Sequence, residues 1–143
     1  GWTNDDLPEL GGDIPFEQCI SEMALAGFVG CEVGNKFPRD TSLLKEALSL
    51  RQLQICNQWY SYELTTRSLE ENRKGFEALL DFLEAMGADV IGGGEVGNSC
   101  QGRLDVPVLE GKGMLQTDAD WRLFCFKLNE LGKIAHDRGF KLD

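Results

Sequence analysis

The spacing of apolar residues predicts helices and strands that alternate along the chain. Apolar residues recur every three to four positions in four segments, and short continuous apolar runs separate these segments. The predicted order is loop, helix, strand, helix, strand, helix, strand, helix and a final strand stub at residues 140–143. Strict alternation is typical of parallel strands joined by right-handed crossovers. The pattern therefore predicts an α/β fold with a parallel sheet.

Glycines and capping residues mark the predicted boundaries of these elements. Gly27, Gly87 and Gly139 each end a helical pattern, and a strand follows within about two residues. Ser68 and Glu71 have capping-box spacing, and Asp118 can cap the last helix. The predicted strands are residues 28–33, 53–59, 90–91 and 140–143. The predicted apolar helix faces are Phe16, Cys19, Ile20 and Met23; Leu43, Leu44, Ala47 and Leu48; Phe76, Leu79, Leu80, Leu83 and Met86; and Trp121, Phe124, Cys125, Leu128, Leu131 and Ala135.

The connections between elements favour one of two parallel architectures, and chain length limits how much of it is present. A closed barrel of eight strands needs ~250 residues, and the 143 residues of this chain supply about half. We expect a single domain over residues 1–143, a parallel (β/α) barrel of the TIM type present only as roughly its first half. It would run from the loop after barrel strand 1 to the start of barrel strand 5. A flavodoxin-like open sheet is the alternative, but the glycines at 92–94 lead into Glu95 and a long loop rather than into a phosphate-binding helix.

Composition excludes several classes of function. The chain carries 24 acidic and 14 basic residues, a net charge of −10, which repels nucleic acids and other polyanions. No apolar run approaches the ~20 residues of a membrane span. The five cysteines include no C-x-x-C pair, so we expect core thiols rather than disulfides or a zinc knuckle. His136, the single histidine, lies at the flank of a helix face, where it has no predicted catalytic partner.

Polar and aromatic residues collect at the ends of the predicted strands. Glu32 and Glu95 are each followed by Val-Gly, and Gln58 and Trp59 close the second strand. Strand ends of a barrel converge on one mouth, where indoles, amides and carboxylates suit a polyhydroxylated ring. A carboxylate there could also move a proton next to a carbonyl. For each residue the alternative is structural: an ion pair for Glu32, core packing for Trp59 and a frayed linker for residues 1–13.

Five segments together resemble one enzyme family. They are G-W-T-N-D-D-L-P-E-L-G at 1–11, E-M-A-L-A-G-F-V-G-C-E-V-G at 22–34, K-F-P-R-D at 36–40, I-C-N-Q-W at 55–59 and A-M-G-A-D-V-I at 85–91. The sequence resembles inosose dehydratases, lyases of the xylose-isomerase-like barrel superfamily. The resemblance covers nearly the whole chain and is weakest across residues 96–117. It implies the residues of a substrate-binding site: Trp2, Asn4, Asp5, Glu32, Gln58, Trp59 and Glu95, with Glu32 and Glu95 as catalytic candidates.

The resemblance also implies a reaction and its requirements. Such enzymes remove water from 2-keto-myo-inositol in cytoplasmic inositol catabolism and use manganese or cobalt, with glutathione as an accessory. The metal would polarise the ketone, and a general acid would assist departure of the β-hydroxyl. The metal ligands lie near later barrel strands, so we expect no metal site in this chain and no activity from it alone.

Three other interpretations stay open at this point. A sugar isomerase or epimerase and an apurinic endonuclease share the superfamily, and the net charge disfavours the endonuclease. A non-catalytic sugar-binding or assembly half-barrel would expose sheet edges and pair with something. For the dehydratase we expect a homo-oligomer, or pairing with the missing half of the barrel.

Overall fold

A computed structural model describes residues 3–97, 99–100, 103–107, 115 and 117–143. The helices are α1 (Phe16–Leu25), α2 (Thr41–Ser49), α3 (Leu69–Met86) and α4 (Asp118–Asp137). The strands are β1 (Gly30–Glu32), β2 (Gln54–Asn57), β3 (Trp59–Tyr62), β4 (Val90–Glu95) and β5 (Lys141–Leu142). All strand pairs of the described chain are parallel, as the alternation of elements predicts. None of the described helices has the length and apolar character needed to cross a membrane.

The strands form two ladders in two compact units. In the first unit, residues 1–58 and 82–89, β1 pairs with β2. In the second unit, residues 59–81 and 90–143, the strand order is β3-β4-β5. The boundary between the units falls inside α3 and between β2 and β3.

The predicted strand at residues 53–59 is wrong in its extent. The extended chain breaks at Gln58 and resumes as β3, so Trp59 begins a strand rather than ending one. The residues responsible are W-Y-S-Y at 59–62, whose aromatic side chains favour extended backbone.

The helix boundaries largely follow the sequence signals. Gly27, Gly87 and Gly139 adopt φ values of 88°, 79° and 82°, the left-handed conformation that glycine accepts at a helix end. The Ser68–Glu71 capping box is confirmed, because the Glu71 amide donates to Ser68 Oγ at 3.2 Å and the Ser68 amide donates to Glu71 Oε2 at 2.9 Å. The Ser68 hydroxyl donates to Glu71 Oε2 at 2.6 Å, and this hydrogen bond together with the one from the Ser68 amide lowers the pKa of the Glu71 carboxyl.

The predicted cap of the last helix is wrong by one residue. Thr117 is the N-cap of α4, and its hydroxyl accepts from the Asp120 amide at 3.2 Å. The Asp120 carboxylate accepts in return from the Thr117 amide at 2.9 Å. Asp118 is therefore the first helical residue, because Thr117 and Asp120 complete a capping box that leaves it no capping role.

Each unit has its own apolar core. In the first, Ile20, Leu44 and Ile55 are at most 3% exposed. In the second, the Phe76 side chain of α3 is fully buried, with its ring centroid 5.3 Å from that of Tyr60 and 6.2 Å from that of Tyr62. Burying side chains of this size contributes about 1.5–3 kcal/mol each.

Some residues of the predicted apolar faces are exposed. Leu43 and Trp121 are 59% and 53% exposed, and the thiols of Cys56 and Cys125 are also exposed rather than in the core. On α4 the buried positions, Leu131 and Ala135, lie in the carboxy-terminal half, where Gly132 faces the Leu142 side chain of β5. Helical period identifies a stripe, but a stripe is buried only where another element covers it.

Candidate functional site

In the first unit, Asn4 and Asp5 shape the amino-terminal loop. Asn4 Oδ1 accepts from the Asp6 and Leu7 amides at 2.9 and 3.0 Å, which closes a local turn. Asp5 Oδ2 accepts from the Asn35 amide at 3.0 Å, which ties the loop to the segment after β1. These oxygens therefore have structural partners. The prediction for Trp2 lies outside the described residues.

Lys36 provides a second anchor for the same loop. Its ammonium group donates to the carbonyl oxygens of Gly11, Gly12 and Ile14 at 2.8, 3.1 and 2.6 Å. Three carbonyls use all three donors of the ammonium group. Lys36 belongs to the K-F-P-R-D segment, yet the sequence alone does not reveal its role, because its partners lie 22–25 residues earlier in the chain.

Replacing Lys36 with methionine should loosen this loop. Methionine keeps much of the side chain's apolar length but cannot donate to three carbonyls, and each hydrogen bond to a charged group contributes about 1.5–3 kcal/mol. We expect amide hydrogen exchange to accelerate at least about 10-fold across residues 5–14. Lys45→Met is the control, because Lys45 is an exposed lysine of α2. Equal exchange rates in the two variants would contradict the anchoring role.

Glu32 is the least constrained of the predicted carboxylates. It is exposed at the end of β1, and its Oε1 accepts from Asn57 Nδ2 at 3.4 Å, a long contact. The β1–β2 register shifts between Cys31 and Glu32, so that Glu32 lies opposite Asn57. The contact found at Glu32 is thus with an amide rather than with the cation that the structural alternative expected. This carboxylate is available to a ligand.

Gln58 is held by a cation that sequence reasoning missed. Arg39 Nη1 donates to Gln58 Oε1 at 3.2 Å, and the Arg39 guanidinium lies 5.9 Å from the centre of the Phe82 ring. The interaction with the ring favours a defined position for the guanidinium. Arg39 lies in the K-F-P-R-D segment, which was the available signal. The carboxamide oxygen of Gln58 is therefore oriented by Arg39.

The buried thiol of Cys31 should react slowly. Burial, reinforced by the nearby Cys56, raises the pKa of Cys31 from 9.0 to about 11. The thiolate is the nucleophile, so at pH 8 iodoacetamide should label exposed Cys56 at least about 100-fold faster than Cys31. Mass spectrometry of tryptic peptides measures both rates in one sample, and equal rates would contradict the burial of Cys31.

The same pKa shift predicts the effect of pH on stability. A raised pKa means that the folded state holds the proton more tightly than the unfolded state. This contribution to stability is complete below pH 9 and is lost as the pH rises towards 11. Tyrosines titrate in the same pH range. The contribution of Cys31 is therefore measured as the difference between the wild type and Cys31→Val in the slope of unfolding free energy against pH.

In the second unit, Glu95 holds the segment that follows β3. Its Oε2 accepts from the Leu64 amide at 2.8 Å, and its Oε1 accepts from Thr65 Oγ1 at 2.8 Å and from the Gly97 amide at 2.7 Å. A Cβ at Gly97 would collide with Glu95 Oε1 and with Thr65 Oγ1. The glycine of this Glu-Val-Gly segment thus permits the close approach. Glu95 has a clear structural role.

Lys127 of α4 binds carbonyl oxygens of the segment that follows β3. Its ammonium group donates to the carbonyl oxygens of Leu64 and Arg67 at 2.6 and 2.9 Å. We call residues 63–67 the β3–α3 loop. Sequence reasoning missed Lys127, although its spacing from Phe124 and Leu131 places a cation within the apolar stripe of α4.

Trp59 and Glu95 point to opposite faces of the β3–β4 ladder. Trp59 pairs with Gly92, and Glu95 pairs with Tyr62, three residues further along β3. Side chains alternate between faces along a strand, so an odd spacing separates them. Trp59 is 53% exposed and Tyr62 is 4% exposed. The two predicted site residues of this unit are therefore not adjacent.

The described residues do not fit a metal site. Within the part of the chain that the structure describes, no three His, Cys, Asp or Glu side chains are grouped so as to hold an ion. The His136 side chain is 88% exposed, with Nδ1 3.7 Å from Asp137 Oδ1. A pocket of about 580 Å³ lies against the carboxy-terminal half of α4 and Leu142, and none of the predicted site residues lines it.

Solved structures identify the class of fold. A family 2 AP endonuclease from Brucella melitensis matches with a TM-score of 0.65 at 16% identity, covering 91% of this chain and 49% of that one. A sugar phosphate isomerase/epimerase from Parabacteroides distasonis also matches with a TM-score of 0.65, at 12% identity, covering 96% and 47%. Both are TIM barrels of the isomerase-like type. The predicted fold class is confirmed: the chain corresponds to about half of such a barrel.

Sequence relatives narrow the comparison to one kind of enzyme. Inosose dehydratase from Geobacillus thermodenitrificans is 56% identical over 142 residues, and that from Clostridium beijerinckii is 53% identical over 142 residues. Each alignment covers 99% of this chain and 47% of the relative. The predicted resemblance is confirmed, and the chain spans about half the length of the curated relatives it matches. No protein-family model matches the chain.

Proposed function

We propose that the full-length protein carrying this chain is an inosose dehydratase, a hydro-lyase that removes water from 2-keto-myo-inositol. The observation that carries the proposal is 56% identity over 99% of the chain to a protein of that name. The fold neighbours support only the architecture, because their identities are 16% or lower. The proposal includes residues 1–143 as one domain of a barrel, inactive alone, and a cytoplasmic location in inositol catabolism.

The proposed chemistry is a proton transfer followed by loss of the β-hydroxyl as water. A base removes the proton on the carbon next to the ketone, and the carbonyl becomes an enolate. The enolate then restores the carbonyl and forms a carbon–carbon double bond to the β-carbon, while an acid protonates the β-hydroxyl and it leaves as water. Glu32 is our candidate for one of these proton transfers because its carboxylate is exposed and makes only a long contact with Asn57. Glu95 keeps the role of a substrate-site carboxylate in this proposal, although its oxygens already accept three hydrogen bonds.

The polar groups near the strand ends of the first unit suit the hydroxyls of the substrate. Asn4, Asp5 and Gln58 are proposed substrate contacts, as is Trp2. Arg39 holds the Gln58 carboxamide oxygen, so the amide nitrogen is the group available to donate a hydrogen bond to a hydroxyl oxygen of the substrate. Trp59 of the second unit is the proposed aromatic contact.

The proposal includes a divalent metal, manganese or cobalt, and glutathione as an accessory in the full-length protein. The described residues supply no metal site, so no step is assigned to the ion here. The proposed partners are the cyclic polyol ketone and further copies of the protein or the second barrel half.

The experiment is an assay of the purified full-length protein with 2-keto-myo-inositol. Protein stripped with a chelator and reloaded with manganese or cobalt should form the dehydrated diketone, followed by ultraviolet absorbance and mass spectrometry. A loss of 18 mass units distinguishes dehydration from epimerisation, which leaves the mass unchanged. No dehydration with either metal, with or without glutathione, would refute the proposal. Product formed by residues 1–143 alone would refute the expected inactivity of this chain.

A further inference from the structure

Two glycines leave one face of β4 without side chains beyond Val90. Gly92 and Gly94 lie on the face that also carries Trp59 and Ser61 of β3, as the parallel register requires. An added Cβ on Gly94 would lie 2.8 Å from Trp59 Cζ2 and 3.1 Å from Cη2. The first distance is too short for a real Cβ and the second is tight, so only glycine lets the indole rest directly on the backbone of β4. We call this arrangement the indole platform: Trp59, Ser61, Gly92 and Gly94.

On the opposite face of β4, Gly93 also lets an aromatic side chain approach the backbone, but that side chain is buried. A Cβ on Gly93 would lie 2.5 Å from Tyr62 Cε2 and 2.6 Å from the Tyr60 carbonyl oxygen. Tyr62 is then covered by Phe76 and other core residues and remains only 4% exposed. Burial raises the pKa of Tyr62 to about 12. The glycine at 93 therefore serves the core of the second unit.

Trp59 is not buried by the equivalent contact. Within this chain, which spans about half the length of the relatives it matches, its side chain rests on Gly94 and remains 53% exposed, and the neighbouring Ser61 is also exposed. An exposed aromatic residue held against backbone keeps a fixed ring that presents apolar area to a partner. The π face of an indole carries partial negative charge, which favours the weakly positive C–H groups of a sugar or cyclitol ring.

We propose that Gly94 is a positioning residue, which seats the Trp59 indole as a stacking surface for the C–H face of a cyclic polyol. The inference rests on the proposed function for the class of ligand, and on the structure for the geometry. The hydroxyl of Ser61, on the same face, is placed to meet a ring hydroxyl at the edge of the platform. The rival role for Trp59 is to fill the barrel interior as a packing residue, as side chains of parallel barrels commonly do.

The test uses the full-length protein and four variants. Trp59→Ala removes the ring, Trp59→Phe retains an aromatic face, and Gly94→Ala displaces the indole without altering it. Trp121→Phe is the matched control, because Trp121 is also 53% exposed but lies on α4. We expect KM for 2-keto-myo-inositol to rise about 10-fold in Trp59→Ala and in Gly94→Ala, consistent with loss of one aromatic contact. KM should change less than about threefold in Trp59→Phe and not at all in Trp121→Phe.

A second readout does not depend on turnover. Because Trp2 is the other proposed indole contact, the titration with 2-keto-myo-inositol uses a Trp2→Phe background; its tryptophan fluorescence change should decrease when Trp59→Phe is added and stay the same when Trp121→Phe is added. If Trp59 serves packing alone, Trp59→Ala should have a lower melting temperature but the same KM as the wild type. An unchanged KM in Trp59→Ala, or a fluorescence change in the Trp2→Phe background that Trp59→Phe does not decrease, overturns the inference.

The two proposals fail separately. Dehydration by the wild type with an unchanged KM in Trp59→Ala would leave the dehydratase proposal standing and remove the platform. A fluorescence change that requires Trp59, without dehydration, would leave the platform standing and remove the dehydratase. If Trp59→Ala does not fold, Gly94→Ala and the fluorescence titration of Trp59→Phe decide the outcome.

Discussion

Replacing Glu32 with glutamine is expected to lower kcat for dehydration about 10²–10⁴-fold in the full-length protein, the range attributed to a positioned acid or base. Glutamine has nearly the same shape and can still contact Asn57, but it cannot exchange a proton. The substitution should leave the free energy of unfolding within about 0.5 kcal/mol, because the side chain is exposed and its contact with Asn57 Nδ2 is 3.4 Å long. Loss of activity without loss of stability is therefore the distinguishing result.

Steady-state kinetics and urea unfolding measure these two quantities for Glu32→Gln. Glu46→Gln is the matched control, since Glu46 is an exposed glutamate of α2 in the same unit. A kcat within about threefold of the wild type would remove Glu32 from the proton-transfer steps. A higher KM with kcat unchanged would instead assign it to uniform binding of substrate.

Replacing Glu95 with alanine should produce the opposite result, a large loss of stability. The change leaves the Leu64 amide, the Thr65 hydroxyl and the Gly97 amide without the carboxylate oxygens that they now contact. Each unsatisfied donor of this kind costs about 1–3 kcal/mol when buried, and the partial exposure of Glu95 lets water offset part of it. We expect a decrease of about 3 kcal/mol in the free energy of unfolding.

Amide hydrogen exchange locates the effect of Glu95→Ala. The Leu64 and Gly97 amides should lose their protection, because they are the donors to the carboxylate. Glu77→Gln is the control: Glu77 forms an exposed pair with Arg73 at 3.0 Å, which contributes little. Retained protection of both amides together with a 100-fold fall in kcat would mean that Glu95 acts in the chemistry rather than in the β3–α3 loop.

Lys127 explains why the β3–α3 loop should respond as a unit. The Glu95 carboxylate accepts hydrogen bonds from an N–H and a hydroxyl group of the loop. The Lys127 ammonium group donates to carbonyl oxygens of the loop, so opposite charges contact opposite ends of the peptide dipoles. Loops after strands carry the functional groups in parallel barrels. The loop is thus held by two residues whose main contribution we expect to be geometric.

Much of the fold was predictable because its signals are local. A glycine after a helical pattern and a Ser-x-x-Glu spacing act through contacts only a few residues apart, and the structure contains them at Gly27, Gly87, Gly139 and Ser68. The error at the N-cap of α4 arose because Thr117, the neighbour of the predicted Asp118, forms the cap. Thr117 capped α4 because its partner Asp120 could return a hydrogen bond.

The candidate site was less predictable, because residue type does not reveal the partner. Glu32 and Glu95 share the sequence Glu-Val-Gly, and the same reasoning assigned them the same role. In the structure Glu32 is exposed beside an amide, and Glu95 accepts three hydrogen bonds. Trp59 likewise was expected at a strand end, and the break at Gln58 placed it at a strand start.

Apart from the division of one predicted strand into β2 and β3, the sequence by itself determined the order of helices and strands, their parallel direction and the family that the chain resembles. These properties depend on periodicity, on steric preferences at helix ends and on matching residues, all of which are written along the chain. Only the tertiary structure decided which side chains are free for chemistry. Glu95 meets Leu64 across 31 residues and Lys127 meets it across 63, and such contacts form only when folded elements bring distant residues together.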